Sequence, residues 1–361
     1  MPTDHLRIVF CWSEVVGYMA ACWRALAAQP GVSLHILHPQ QLYASIDNPF
    51  NVDAIMHGLS HEMFRGDRPD VGEWLVERVT AQQPDVVVHC GWIFKPYASL
   101  VHAPALASVP MMLGMDSPWL GTATQRLNRY RLRALVERMR LVVVAGDRSA
   151  EYARRIGVDP RMIRSGYYGF DDAPLAPVAS SRTGEWPRRF LFIGRYVDQK
   201  DLPTLVRAYA LYRSRVSDPW PLSCCGTGPG RTHFEGVDGI TDLGFRQPAE
   251  LPSVLRDHGA FVMASKFEPW GVVIAEAASS GLPVICTTAC GAGLDIVRPY
   301  YNGLTVTPED PESLCRALLW THHHHDRLRV MGQRGRELSA AYSATAWGER
   351  WLNYLHEVRQ A

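Results

Sequence analysis

Short apolar runs of strand length recur through the whole chain, separated by stretches with helical patterning, and this alternation restricts the fold more than any other feature. In the first half the runs are LRIVFCW (6–12), VSLHILH (32–38), DVVVHC (85–90), VPMMLG (109–114) and LVVVAG (141–146). The second half has RFLFIG (189–194), PLSCCG (221–226), GITDLGF (239–245), AFVMAS (260–265), PVICTT (283–288) and GLTV (303–306). Strands apolar on both faces that alternate with helices belong in parallel sheets covered by helices on each side. Between the two sets lies APLAPVASSRTGEWP (173–187), rich in Pro, Ala and Ser, which reads as a linker. The expectation is an α/β chain of two doubly wound Rossmann-like domains facing a central cleft, 1–175 and 186–342.

A length of 361 residues suits two domains better than one core. Lys plus Arg number 37 against 36 for Asp plus Glu, so no global field draws the chain to nucleic acid, and no nucleic-acid partner is expected. The cysteines, at 11, 22, 90, 224, 225, 286, 290 and 315, lie mostly inside apolar runs and lack paired ligand spacing. They read as reduced core residues of a cytoplasmic protein, with no disulfide framework and no zinc site. MPTDHLRIVFCW enters a strand-like run at once and no apolar stretch approaches membrane-spanning length, which predicts a soluble chain, at most peripheral to a membrane. The run His322 to His325 lies between two helical patterns. Consecutive helical residues point in different directions, so the run reads as a solvated helix face or end, and no metal is expected there.

In open α/β sheets ligands bind beyond the carboxyl ends of the strands. The informative residues are then Arg195 after LFIG, Gly226 to Gly230 after LSCC, Glu268 after FVMAS, and Gly291 to Gly293 after VICTTAC. In FEPWGVVIAEAASSG (267–281) a helix beginning near Gly271 and ending before Gly281 is apolar on nearly every side except at Glu276. Its start leaves the amides of Gly271, Val272 and Val273 open to an anion. An ionised Glu276 accepts hydrogen bonds only, so amides and carboxylate together describe the diphosphate and ribose of a nucleotide. A solvent-facing glutamate, or one paired with an arginine, fits the same pattern. Upstream, FIGRYVDQKDLPTLVRAY (192–209) puts Arg195 at a strand end and Lys200 at a helix start, where two cations can neutralise a diphosphate or simply decorate the surface.

The ordered series GRYVDQK, CGTGPG, LGFRQPAEL, FEPWGVVIAEAASSGLPVI, GAGLDIV and YNGLTV resembles the retaining glycosyltransferases of family 4, with the GT-B fold, in detail over 190–320. The resemblance implies that Arg195 and Lys200 lie on the donor diphosphate and Glu276 on the ribose. It implies further that Glu268 and the amides after Trp270 stand near the donor sugar and phosphates, with Phe245 and Arg246 of LGFRQPAEL among the substrate-binding residues. Gly17, in CWSEVVGYMAACWRAL, matches the family's glycine loop after the first strand. Where the family has a histidine, MMLGMDSPW offers Met115 and Asp116, so Asp116 and His89 are the candidates for the acceptor side, and Asp295 stands where glutamate is common. The last helix, 343–361, is implied to cross back to the first domain.

The implied activity is transfer from a nucleotide diphosphate sugar, a UDP- or GDP-sugar, to a hydroxyl acceptor with retention of configuration. The resemblance implies that no cofactor and no metal are needed, and no Asp-x-Asp element stands at a strand end. A nucleotide-sugar epimerase of the same fold and a catalytically silent sugar-nucleotide-binding protein are the alternatives. The acceptor is a saccharide, a lipid-linked glycan or a small metabolite. TQRLNRYRLRALVERMR (124–140), with six arginines and one glutamate, is either a solvated face or a contact with anionic lipid at the inner membrane face. Trp12, Trp92 and Trp119, near strand ends, either stack on sugar rings or cap the core.

Overall fold

The computed structural model describes residues 5–40 and 51–360, which divide into two compact units. The first holds the described residues of Met1–Ala44, Phe50–Gly169 and Ala344–Ala361, and the second is built on Phe170–Ser343. Among the described residues every strand pairing is parallel.

In the first unit the strands are β1 (Leu6–Cys11), β2 (Val32–Pro39), β3 (His61–Phe64), β4 (Val86–Cys90), β5 (Met111–Met115), β6 (Met139–Val144) and β7 (Ile163–Ser165). Their order is β3-β2-β1-β4-β5-β6-β7, so the winding reverses between β1 and β4. The central strands β4 and β5 are buried at every residue, as runs apolar on both faces require. Helix Ala344–Gln360 completes this unit against helix Gly17–Ala27. A side chain at Gly348 would stand 3.0 Å from the Ala25 carbonyl carbon, so glycine lets the two helices lie close. Trp347 and Trp351, both fully buried, stack with centroids 4.6 Å apart and donate their indole N–H groups to the carbonyls of Tyr167 and Gly166.

The second unit contains β8 (Phe190–Ile193), β9 (Leu222–Cys225), β10 (Ile240–Gly244), β11 (Ala260–Met263), β12 (Val284–Thr287) and β13 (Gly303–Val306), in the order β10-β9-β8-β11-β12-β13. Its winding reverses between β8 and β11. Helix Val272–Ser279 is apolar almost all round because it is covered by the sheet on one side and by helix Leu328–Ser339 on the other. Gly332 makes that second contact possible, since a β-carbon there would meet the Gly281 carbonyl oxygen at 1.9 Å.

Two expectations change. The segment read as a linker, 173–187, is packed into the second unit: Ala176–Ser180 is a helix, and Leu175, Val178 and Trp186 are buried. Arg182 fixes it by donating to the carbonyls of Ser280, His258 and Leu255. The histidine run lies at a helix end, one of its two readings: helix Pro311–His323 ends within it, while His322 turns inward and bonds the Tyr212 hydroxyl at 2.8 Å beside Trp220. Two strands, β3 and β7, form where no apolar run stands out.

Candidate functional site

The switch point of the second sheet brings the carboxyl ends of β8 and β11 side by side, and these are the ends that carry Arg195 and Glu268. Arg195 follows β8 and Gly194; it is exposed and makes no ion pair among the described residues. Its backbone is held by the loop after β9. Tyr196 N–H donates to the Thr227 carbonyl at 2.7 Å and Gly230 N–H to the Tyr196 carbonyl at 2.8 Å. A β-carbon at Gly226 would stand 2.0 Å from the Gly194 oxygen, and one at Gly228 2.7 Å from the Tyr196 oxygen. The glycines of CGTGPG therefore serve close backbone packing around Arg195.

The next turn, Asp198–Lys200, is laced to the loop that follows β11. Lys266 N–H donates to the Gln199 carbonyl at 2.9 Å, Gln199 Nε2 to the Phe267 carbonyl at 3.0 Å, and Lys200 Nζ to Glu268 Oε1 at 2.6 Å. The last is a nearly dry ion pair, with side chains 12% and 6% exposed. Lys200 and Glu268 are thus each other's partner, a relation that the sequence reading did not contain. An ammonium has three donors, so two remain for a ligand.

Glu268 is also pinned through its backbone, which donates to the Ala289 carbonyl and bridges Cys290. Ala292 N–H returns a 2.7 Å bond to the Trp270 carbonyl, and a β-carbon at Gly291 would meet the Pro269 oxygen at 2.5 Å. Trp270, 1% exposed, donates its indole N–H to Asp295 at 2.6 Å. Asp295 therefore anchors the Pro-Trp-Gly turn.

That turn delivers Gly271, at φ +95°, into helix Val272–Ser279, and Gly281 at φ +78° follows its end. Val272 and Val273 open the helix with amides that have no backbone acceptor among the described residues. Glu276 is half-buried, and no donor or cation reaches its carboxylate among the described residues. Burial raises its pKa to about 7, and the Asp171 carboxylate adds to the shift. The arginine-paired alternative for Glu276 is thereby removed. Phe245 and Arg246 follow the edge strand β10; Phe245 is half-buried, and Arg246 is exposed and pairs with Glu250 at 3.4 Å.

In the first unit the switch point lies between β1 and β4. Gly17 opens helix Gly17–Ala27 after the loop that leaves β1. Asp116 follows β5 and accepts the Tyr168 hydroxyl at 2.7 Å; burial raises its pKa while that bond opposes the rise. No helix starts at Ser117 or Pro118, and helix Ala123–Arg131 is capped by Thr122, so Asp116 is not a helix cap. His89 is a core residue, 1% exposed, with Nε2–H donated to the Tyr97 carbonyl and its pKa lowered to about 4 by burial. His89 is thus a strand-end histidine packed in the core, the second of the two readings its position allowed. Trp12 is buried and stacks on Tyr167 at 5.3 Å, and Gly114 makes room for that tyrosine. Tyr168 is the site neighbour that sequence reasoning missed; its signal was the tyrosine pair in GYYGF after β7.

Among the described residues no group of three His, Cys, Asp or Glu side chains is arranged to hold a metal ion, and no helix is long and apolar enough to cross a membrane.

Residues 187–324 match the family model described as "Glycosyl transferases group 1". An uncharacterized glycosyltransferase of Methanocaldococcus jannaschii is 28% identical over 135 residues, 36% of this chain and 34% of that protein. The glycogen synthase of Mycobacterium tuberculosis is 25% identical over 260 residues, 65% of this chain and 59% of its own length. The matches thus span about a third and under two thirds of these relatives. The crystal structure of Anabaena Alr3699/HepE in complex with UDP and glucose superposes with a TM-score of 0.76 over 98% of this chain and 100% of that one, at 16% identity. The chain has the GT-B fold, and its second unit, over residues 187–324, is similar in sequence to the group 1 glycosyl transferases.

Proposed function

We propose that the protein is a retaining glycosyltransferase of family 4 that moves a sugar from a nucleotide diphosphate sugar to a hydroxyl acceptor, without a metal ion. The observation that carries this reading is Glu276, a half-buried carboxylate with no partner of its own, on the helix that opens with the free amides of Val272 and Val273. A hydrogen-bond acceptor and anion-binding amides on one element suit the ribose and phosphates of one ligand. UDP in the Anabaena relative favours a uridine donor, with a GDP-sugar as the second choice.

As the glycosidic bond breaks, negative charge grows on the departing diphosphate. The unpaired Arg195 and the two remaining donors of Lys200 meet that charge, each contributing about 2–4 kcal/mol by analogy with fixed oxyanion donors. Glu268 keeps Lys200 oriented. Retention proceeds by front-face substitution, and Asp116 receives the acceptor's proton or holds its hydroxyl in line. The eight cysteines are all free and buried, which suits a reducing, cytoplasmic setting.

A thermal-shift panel of UDP-, GDP-, ADP- and dTDP-sugars, followed by NMR of the products with and without candidate acceptors, tests the reading. A shift with a uridine sugar and a product of unchanged anomeric configuration is expected. Inverted product, or no shift with any donor, would overturn it. Epimerised donor without acceptor would indicate the epimerase, and binding without donor consumption the silent protein.

A further inference from the structure

A cavity of about 610 Å³ opens in the first unit, and its lining includes Trp119, Arg126, Arg129, Tyr130, Arg154 and Arg155. Four guanidinium groups and two aromatic side chains thus face one space. Glu151 is the acid that touches this cluster, pairing with Arg154 at 3.1 Å and Arg155 at 2.7 Å. Arg126 and Arg129 make no ion pair among the described residues. One carboxylate against four guanidiniums leaves the space strongly positive, and like charges gathered this way repel unless an anion joins them.

The walls are fixed before any ligand arrives. Gln125 clasps the loop after β5, donating to the Pro118 carbonyl at 2.8 Å and accepting Leu120 N–H at 2.7 Å. Trp119 N–H donates to the Arg148 carbonyl at 3.1 Å, and Asn128 donates to the Tyr152 hydroxyl at 2.7 Å. The Arg155 guanidinium lies over the Trp119 ring, 4.6 Å from its centroid. Helix Ala123–Arg131, which supplies Arg126, Arg129 and Tyr130, buries none of its residues, and Leu127 and Tyr130 on it are 50% and 75% exposed. Core packing does not explain this helix.

We infer that the cavity binds the phosphate or diphosphate group of a ligand whose organic part is apolar. Planar guanidiniums take phosphate oxygens in forked pairs, which lysine cannot do. Tyr130, Leu127 and the exposed Leu120 offer apolar surface beside the anion. The ligand is either a lipid phosphate headgroup or a soluble phosphorylated molecule, which share this chemistry. The inference stands apart from the transferase reading, because every lining residue belongs to the first unit and binding is measured without a sugar donor.

The test uses the full chain, with inorganic pyrophosphate in calorimetry and vesicles of phosphatidylcholine with and without phosphatidic acid in flotation. Three variants are compared with wild type: Arg126→Ala with Arg129→Ala, Arg126→Lys with Arg129→Lys, and, as a charge-matched control, Arg327→Ala with Arg336→Ala in the second unit. All four arginines are exposed, so folding is not at stake. The alanine pair should weaken binding about ten-fold or more, the lysine pair less, and the control pair not at all. Binding of phosphatidic acid vesicles that the alanine pair weakens assigns the lipid source; pyrophosphate binding that the alanine pair weakens assigns the soluble one, and binding that the alanine pair leaves unchanged belongs to the second unit and overturns the inference. If neither ligand binds, or if the control pair weakens binding as much as the cavity pair, the inference is overturned.

Discussion

Lys200 Nζ lies 2.6 Å from Glu268 Oε1, although the two residues are 68 positions apart, and water reaches little of either side chain. The pair joins the loop after β8 to the loop after β11 across the switch point. Removing one partner strands the other as a buried charge. Lys200→Met should therefore cost about 3–5 kcal/mol of unfolding free energy. Lys200→Met with Glu268→Leu should recover most of that in urea denaturation, while glycosyl transfer stays lost. A double variant as unstable as the single one would show that the ion pair is not what makes Lys200 important to folding.

Glu276 gives two pH effects of opposite sign. Its folded pKa is raised to about 7, so the folded state holds a proton that the unfolded state has already lost above its ordinary glutamate pKa. The stability it contributes is complete below that ordinary pKa and falls as pH rises toward and through about 7. Binding of ribose hydroxyls needs the ionised carboxylate, so uridine affinity should rise over the upper part of the same window. Uridine is the right probe because it carries no phosphate to titrate. Glu276→Gln should flatten both profiles and weaken uridine by about 1–3 kcal/mol in calorimetry. An unchanged affinity would remove Glu276 from the ribose.

Gly226 tests the placement of Arg195. Alanine there would drive its β-carbon to 2.0 Å from the Gly194 oxygen, at φ +157°. Gly226→Ala should destabilise by about 1–3 kcal/mol and weaken UDP binding, because the backbone that carries Arg195 must move. Gly184→Ala, where a β-carbon meets nothing within 4 Å, is the neutral comparison. Thermal unfolding with and without UDP reads both effects.

Asp116 and Tyr168 separate a chemical role from a structural one. Asp116→Asn should reduce transfer severely and leave UDP affinity unchanged. Tyr168→Phe removes the 2.7 Å bond that holds the Asp116 pKa down against burial, so the acidic limb of the pH–rate profile should move to higher pH. His89→Ala should lower stability without moving that limb. Full transfer by Asp116→Asn would remove Asp116 from the proton transfer, and full transfer by both Asp116→Asn and His89→Ala would point to the donor's phosphate oxygen.

Much of the scaffold was legible in the sequence because strands buried on both faces are written as continuous apolar runs. β3, HEMF, and β7, IRS, were not, because each is an edge strand with mostly half-exposed residues and no such run. Arg195, Glu268 and Glu276 were locatable because strand ends and helix starts have local signatures. The pairing of Lys200 with Glu268 was not, since nothing local specifies which residues meet across a switch point. The cavity around Trp119 was half legible: its arginine-rich helix stood out, but Arg154 and Arg155 come from another helix. The segment 173–187 misled because Pro, Ala and Ser mark loops on average, whereas Leu175, Val178 and Trp186 gave it packing partners.

The chain leaves the first unit at Gly169 and rejoins it at Ala344, and the two crossings are tied together where Phe170 bridges Ser343 and donates to the Tyr342 carbonyl at 3.0 Å. This has a consequence for the order of assembly on the ribosome. The seven-stranded sheet is synthesised first, but helix Ala344–Gln360, which seats Trp347 and Trp351 against the stretch after β7, emerges only after all of Phe170–Ser343. The later-made unit can therefore finish folding first, while the earlier one waits with an apolar surface uncovered. A stop codon just after Ser343 would leave the second unit complete and attached to a first unit without its closing helix.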